Sequence, residues 1–86
     1  MATILLVEDD TSMRLLTTAK LKHRYAIISV QDGVEALDVL ERQPVDLIIA
    51  DVMMPRMDGY TLVKTLRERG DQIPGLLLQA VFRGQA

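Results

Sequence analysis

Short apolar runs alternate along the chain with segments in which apolar residues recur every three or four positions. Aliphatic residues dominate the runs at 4–7, 25–30 and 45–50, and a fourth apolar run lies at 76–78. Runs of this length, bounded by polar residues, predict strands, and a continuous apolar run is typical of a strand buried on both faces. The chain therefore contains four candidate strands.

The segments between these runs have helical periodicity. We predict helices at about 12–23, 34–43 and 59–69, each with apolar positions that recur at helical spacing. Pro44 follows the second segment and Gly70 follows the third. Because proline and glycine both interrupt helices, these two residues are expected to mark where the second and third helices end.

The first helix carries two further expectations. Either Thr11 or Ser12 can cap its N-terminus, because a hydroxyl oxygen can accept a hydrogen bond from a free amide of the first turn. Met13, Leu16 and Ala19 fall on one stripe and are expected to face the core.

The predicted elements follow the order β-α-β-α-β-α-β over residues 1–80. Strict alternation of short buried strands with helices predicts an α/β fold with a parallel sheet and right-handed crossovers. At 86 residues the chain is long enough for one domain. Residues 81–86 have no clear period and are expected to form an atypical C-terminal tail.

Acidic residues follow two of the four candidate strands. Glu8 and Asp9 come directly after the first run, and Asp51 comes directly after the third. Ligands of parallel α/β sheets bind beyond the carboxyl ends of the strands, so these three carboxylates converge if the two strands are neighbours. Carboxylates at such short distances repel one another unless a cation lies among them. A site whose ligands are all oxygen atoms, with no nitrogen or sulfur, favours Mg2+. Any single acid in such a position can instead be a helix cap, and Asp10 is expected to be no more than that.

Composition excludes several kinds of function. The chain has no cysteine and a single histidine, His23, which rules out disulfides, thiolate metal sites and multi-histidine metal sites. A net charge of -2 does not favour binding to nucleic acid or to an anionic membrane. The N-terminus lacks the features of a signal peptide and of a membrane span, so a cytoplasmic protein is expected.

Two blocks, at 4–10 and 45–59, closely resemble the receiver domain of bacterial two-component response regulators. In the second block Asp51 is followed after three residues by a proline and soon afterwards by an Asp-Gly pair. The stretch at 32–37 also fits the family, and the resemblance extends from residue 3 to about residue 80. It implies a flavodoxin-like, receiver-like parallel sheet that is incomplete here, truncated after the fourth strand.

The resemblance also implies the roles of individual residues. Asp51 matches the aspartate that accepts a phosphoryl group from a sensor histidine kinase. Glu8 and Asp9 match the acidic pair that holds Mg2+ together with Asp51, and Met53 matches the position whose backbone carbonyl completes the protein's share of the metal shell. The implied function is a phosphoacceptor signalling module of a two-component phosphorelay, not an enzyme.

Two departures from the family affect what this module is expected to do. Gln79 occupies the position at which the family usually has threonine or serine. The elements that follow the fourth strand in the family, including a phosphoryl-binding lysine, have no counterpart. We therefore expect impaired switching. We also expect the chain to form a homodimer or a larger assembly, because one sheet face, covered by the first helix alone, would be half bare and the fourth strand would be an open edge.

Two alternatives come from other functional classes. The first is a self-associating interaction or scaffold fragment in which the phosphorylation site is a relic. The second is a Mg2+-dependent phosphohydrolase that uses Asp51 as its nucleophile. Dehalogenase-type phosphohydrolases need a second acid two residues later, and Met53 stands at that position.

Overall fold

The computed structural model describes residues 1–51, 59–71, 73 and 75–78, and the side chains of 1–50, 61–71 and 73 among them. The seven elements in chain order are β1 (Thr3–Val7), α1 (Thr11–Leu21), β2 (Ala26–Val30), α2 (Gly33–Arg42), β3 (Leu47–Asp51), α3 (Gly59–Glu68) and β4 (Gly75–Leu78). The predicted alternation of strands and helices is confirmed, with boundaries that differ from the predictions by a few residues. The predicted tail at 81–86 lies outside the described residues.

The four strands form one parallel sheet in the order β2-β1-β3-β4. Because β1 pairs with both β2 and β3, Val7 is the partner of Val30 on one side and of Ala50 on the other. β1 and β3 are therefore the two central strands. Ile4–Val7 and Ile48–Ala50 are buried, as expected for strands covered on both faces.

Alternate residues of the strands point to opposite faces of the sheet, where their side chains pack into two separate apolar clusters. The larger cluster lies under α2 and α3 and joins Leu5, Val7, Val30, Ala36, Val45, Ile48, Ala50, Leu62 and Leu66. The smaller cluster lies under α1 and joins Ile4, Leu6 and Ile49, with Leu21, Tyr25, Ile27 and Leu47 packed around it. Two helices thus cover one face of the sheet and one helix covers the other.

The predicted orientation of α1 was wrong. Leu16 and Ala19 do not face the core: Leu16 is 51% exposed, its neighbour Leu15 is 65% exposed, and no residue of α1 is buried. The half-buried side of the helix instead carries Met13, Arg14, Thr17, Thr18 and Leu21. On this side of the helix, Leu21 packs on the smaller cluster.

The start of α1 also differs from the prediction. Asp10, rather than Thr11 or Ser12, is the N-cap, and its side chain accepts a hydrogen bond from the amide of Met13. A carboxylate at this position satisfies one of the amides that the first turn leaves without an intrahelical partner. The expectation that Asp10 is a helix cap is therefore confirmed.

The end of α3 agrees with the prediction. Gly70 has a φ of 84°, a left-handed conformation that ends the helix. The amide of Asp71 then bonds back to the carbonyl of Leu66 over 2.9 Å. Arg67 donates from its guanidinium to the carbonyls of Asp71 and Ile73, both at 2.8 Å, which ties the helix to the segment leading to β4.

No helix in the part of the chain that the structure describes is long and apolar enough to cross a membrane.

Candidate functional site

The carboxyl ends of the central strands β1 and β3 lie side by side at the same end of the sheet. Val7 and Ala50 are partners in the pairing of these strands. Glu8 and Asp51 are the next residues of the two segments, so their backbones lie side by side. The amide of Glu8 continues the ladder on the other side by donating to the carbonyl of Val30 over 3.0 Å. The condition for converging strand-end acids, adjacency of the first and third strands, is thus met.

Glu8 is a buried acid, with only 3% of the residue exposed. Its Oε2 accepts a hydrogen bond from the amide of Asp10 over 3.0 Å, so the side chain folds back over its own loop. Its carbonyl oxygen accepts a hydrogen bond from Nη1 of Arg14 over 2.9 Å. Both bonds restrict the loop between β1 and α1 to a defined conformation.

Asp9 and Asp10 follow Glu8 but have different surroundings. Asp9 is half-buried, whereas Asp10 is exposed and is engaged as the cap of α1. The capping bond joins Oδ1 of Asp10 to the amide of Met13 over 2.9 Å. Asp10 thus serves as a helix cap, and Glu8 and Asp9 are the acids of this loop that the sequence predicts as cation ligands.

Asp32 is a further acid that follows a strand, in the short loop between β2 and α2. It is 8% exposed and caps α2, with Oδ1 accepting from the amide of Glu35 over 2.9 Å. Oε1 of Glu35 in turn accepts from the amide of Gln31 over 2.7 Å. The signal that could have identified this cap is an acid directly before Gly33 and three residues before Glu35, the spacing of a capping box.

The predicted metal ligands fall into two groups. Glu8 and Asp9 lie on one loop at the edge where β3 ends, whereas the side chain of Asp51 and all of Met53 lie outside the described residues. Within the described residues, no group of three His, Cys, Asp or Glu side chains has the arrangement of a metal site. The donor set nevertheless suits Mg2+ chemically, since it consists of carboxylate oxygens with no nitrogen or sulfur ligand.

Comparison with known proteins, by family model and by individual relatives, gives response regulators in both cases. The family model of the response regulator receiver domain matches residues 4–81. Response regulator MprA from Mycobacterium sp. (strain KMS) is 42% identical over 78 residues, covering 90% of this chain and 34% of that protein. The chain thus spans about a third of the length of the curated relatives that it matches.

Solved structures agree with the family match. The receiver domain of Francisella response regulator 1452 has a TM-score of 0.89 at 29% identity, covering 94% of this chain and 68% of that one. TrrA of Thermotoga maritima, a response regulator solved in complex with Mg2+-BeF, has a TM-score of 0.86 at 29% identity, covering 99% of this chain and 75% of that one. With its parallel sheet, its strand-end acids and these matches, the chain belongs to the receiver domain family of two-component response regulators.

Proposed function

We propose that this chain is a phosphoacceptor module that receives a phosphoryl group on Asp51 from a sensor histidine kinase. The observation that carries the proposal is the adjacency of β1 and β3, which brings the backbone of Asp51 beside the loop of Glu8 and Asp9. Family membership supports the same role, since receiver domains are signalling modules. The cytoplasm is the proposed location.

The chemistry requires a weak nucleophile to approach an anionic group. A carboxylate oxygen of Asp51 would form a bond to phosphorus as the bond from phosphorus to the donor imidazole breaks. Glu8, Asp9, Asp51 and the carbonyl of Met53 are the proposed ligands of Mg2+. When bound, Mg2+ supplies charge neutralisation for a carboxylate and a phosphoryl group that otherwise repel each other. Support for this cation comes from TrrA, whose structure contains Mg2+-BeF.

A Mg2+ titration tests whether the proposed ligands form one site. We expect binding with a dissociation constant in the millimolar range, because Mg2+ keeps several waters and is held by few protein ligands. Asp51→Asn should weaken binding severalfold, because it removes one charged ligand. Amide chemical shifts of the loop after β1 would report the binding.

Asp46→Asn is the matched control for this titration. Asp46 directly precedes β3, at the opposite end of the strand from Asp51, and its Oδ2 accepts from the amide of Thr3 over 2.7 Å. Asparagine keeps an oxygen for that bond and removes the same charge. Equal Mg2+ binding by the parent chain and Asp51→Asn, or equal weakening in both variants, would contradict the proposed ligand set.

A second candidate function is self-association, as a homodimer or a larger assembly, with the phosphorylation site as a relic. The specific observation in its favour is the outer face of α1, where Leu15, Leu16 and Ala19 are exposed together. Large aliphatic side chains grouped on one helix face favour contact with another protein surface. This candidate differs from the first because it requires no phosphoryl transfer.

A further inference from the structure

Arg14 joins the first turn of α1 to the loop that carries the proposed Mg2+ ligands. Its Nη1 donates to the carbonyl oxygen of Glu8 over 2.9 Å, and the residue is half-buried. Its backbone amide donates to the carbonyl of Asp10, also over 2.9 Å. A single residue therefore holds the loop on both sides of Asp9.

The carbonyl that Arg14 binds belongs to the peptide group joining Glu8 to Asp9. The amide of Glu8 is held separately by the carbonyl of Val30, and Oε2 of Glu8 accepts from the amide of Asp10. Rotation of the Glu8–Asp9 peptide would change the direction in which the Asp9 side chain leaves the backbone. The guanidinium restrains this rotation through its hydrogen bond to the Glu8 carbonyl, and a bond from a charged donor is stronger than one between neutral groups.

We propose that Arg14 is a positioning residue for Mg2+, acting through the Glu8–Asp9 peptide rather than touching the ion. The inference rests on the proposed function, because it concerns the same cation site. Substitution of a residue that orients metal ligands typically weakens metal binding by about 10- to 100-fold. The contribution of Arg14 is to keep the carboxylate pair in one arrangement before the cation binds.

The positive charge of Arg14 and its hydrogen bond to the Glu8 carbonyl have opposite effects on Mg2+ affinity. A guanidinium close to a cation site repels the cation, so removal of the charge alone would strengthen Mg2+ binding. Loss of the hydrogen bond to the Glu8 carbonyl would instead weaken Mg2+ binding. The two effects therefore have opposite signs, and the direction of the change in affinity shows which one dominates.

The test compares three variants with the parent chain in titrations with Mg2+ alone. Arg14→Met keeps an apolar stem and removes the guanidinium, and we expect about tenfold weaker Mg2+ binding. Arg14→Lys keeps the charge but not the planar donor group, and we expect a smaller weakening. Lys20→Met is the control, since it removes a charge from an exposed position of the same helix and should leave affinity almost unchanged.

A second readout does not depend on the metal. In the Mg2+-free protein, Arg14→Met should speed hydrogen exchange at the amides of Asp9 and Asp10, whereas Lys20→Met should not. If Arg14→Met fails to fold, Arg14→Lys decides the question, because its charge is that of the parent.

Mg2+ binding as tight as that of the parent, or tighter, in the folded Arg14 variants would overturn the inference and leave the proposed function standing. A lower melting temperature with unchanged Mg2+ affinity would also overturn it, since Arg14 would then serve only the stability of the fold. Absence of Mg2+ binding by the parent chain would overturn the inference and the proposed function together.

Discussion

Glu8 and Asp10 are separated by one residue, yet one is buried and the other is exposed. The carboxylate of Glu8 accepts from the amide of Asp10, and the carboxylate of Asp10 accepts from the amide of Met13. Each acid thereby satisfies a backbone donor near the start of α1. The loop that we propose for cation binding thus also leads into a helix N-terminus, where Asp10 caps the helix and Glu8 holds the amide of Asp10.

The capping role of Asp10 can be measured apart from the cation site. We expect Asp10→Ala to lower the free energy of unfolding by about 1 kcal/mol, because the amide of Met13 loses its acceptor. Asp10→Asn keeps an acceptor oxygen and should cost only a few tenths of that amount. Urea denaturation of the three proteins provides the comparison. Identical stability of Asp10→Ala and the parent would show that this cap does not contribute.

At the level of the elements, the helices are bounded by local chemistry and oriented by tertiary contacts. The end of α3 is an example of the first, since Gly70 adopts a left-handed conformation and Asp71 bonds back to Leu66. The orientation of α1 is an example of the second, since Leu21 on its inward side packs on the cluster beneath.

Gly70 offers a test of backbone conformation without a packing change. A Cβ added at this residue would meet nothing within 4 Å, so any cost of Gly70→Ala comes from the positive φ alone. We expect a loss of about 1 kcal/mol in the free energy of unfolding. Gly70→Asn should cost less, because asparagine tolerates this conformation better than alanine. A stability of Gly70→Ala equal to that of the parent would contradict the helix-end geometry.

Sequence patterns were sufficient for some elements and insufficient for others, for physical reasons. The continuous aliphatic runs of β1 and β3 are typical of strands buried on both faces, and both are central strands. The inward side of α1 could not be inferred, because it carries Thr17 and Thr18 while Leu15 and Leu16 point outward. The hydroxyl of Thr18 is even buried without a hydrogen-bond partner among the described residues.

The candidate site was predictable to a similar degree. Adjacency of the first and third strands follows from the receiver-like strand order and is observed. The hydrogen bond from Arg14 to the carbonyl of Glu8 was not predictable, because it depends on the helix rotation that the apolar pattern misrepresented. The cap formed by Asp32 could have been inferred, since the acid precedes a helix and is three residues before Glu35.

The whole molecule has two unequal sides. The sheet face under α2 and α3 carries the larger cluster, whereas the other face is covered by α1, which buries none of its own residues completely. Leucines that point away from the domain on this second side remain in water in a monomer. Burial of such aliphatic side chains contributes roughly 25 cal/mol per Å2, so a second copy could stabilise this side.

The prediction at this scale concerns the mass of the protein in solution. We expect the parent chain to sediment as a dimer or larger species at micromolar concentration, and Leu16→Glu to shift it towards the monomer. Val34→Glu is the control, because Val34 is 47% exposed but belongs to α2 on the opposite side of the sheet. A parent chain that sediments as a monomer, or equal effects of the two substitutions, would contradict association through α1.

The central claim, that Asp51 accepts a phosphoryl group, is tested most directly by incubation with acetyl phosphate and Mg2+ followed by intact-protein mass spectrometry. The account predicts the addition of one phosphoryl group, dependent on Mg2+, located at Asp51 by peptide mapping and absent from Asp51→Asn. Asp46→Asn should be phosphorylated as the parent is. No phosphorylated species in the folded parent chain, or a phosphoryl group that persists in Asp51→Asn, would contradict it.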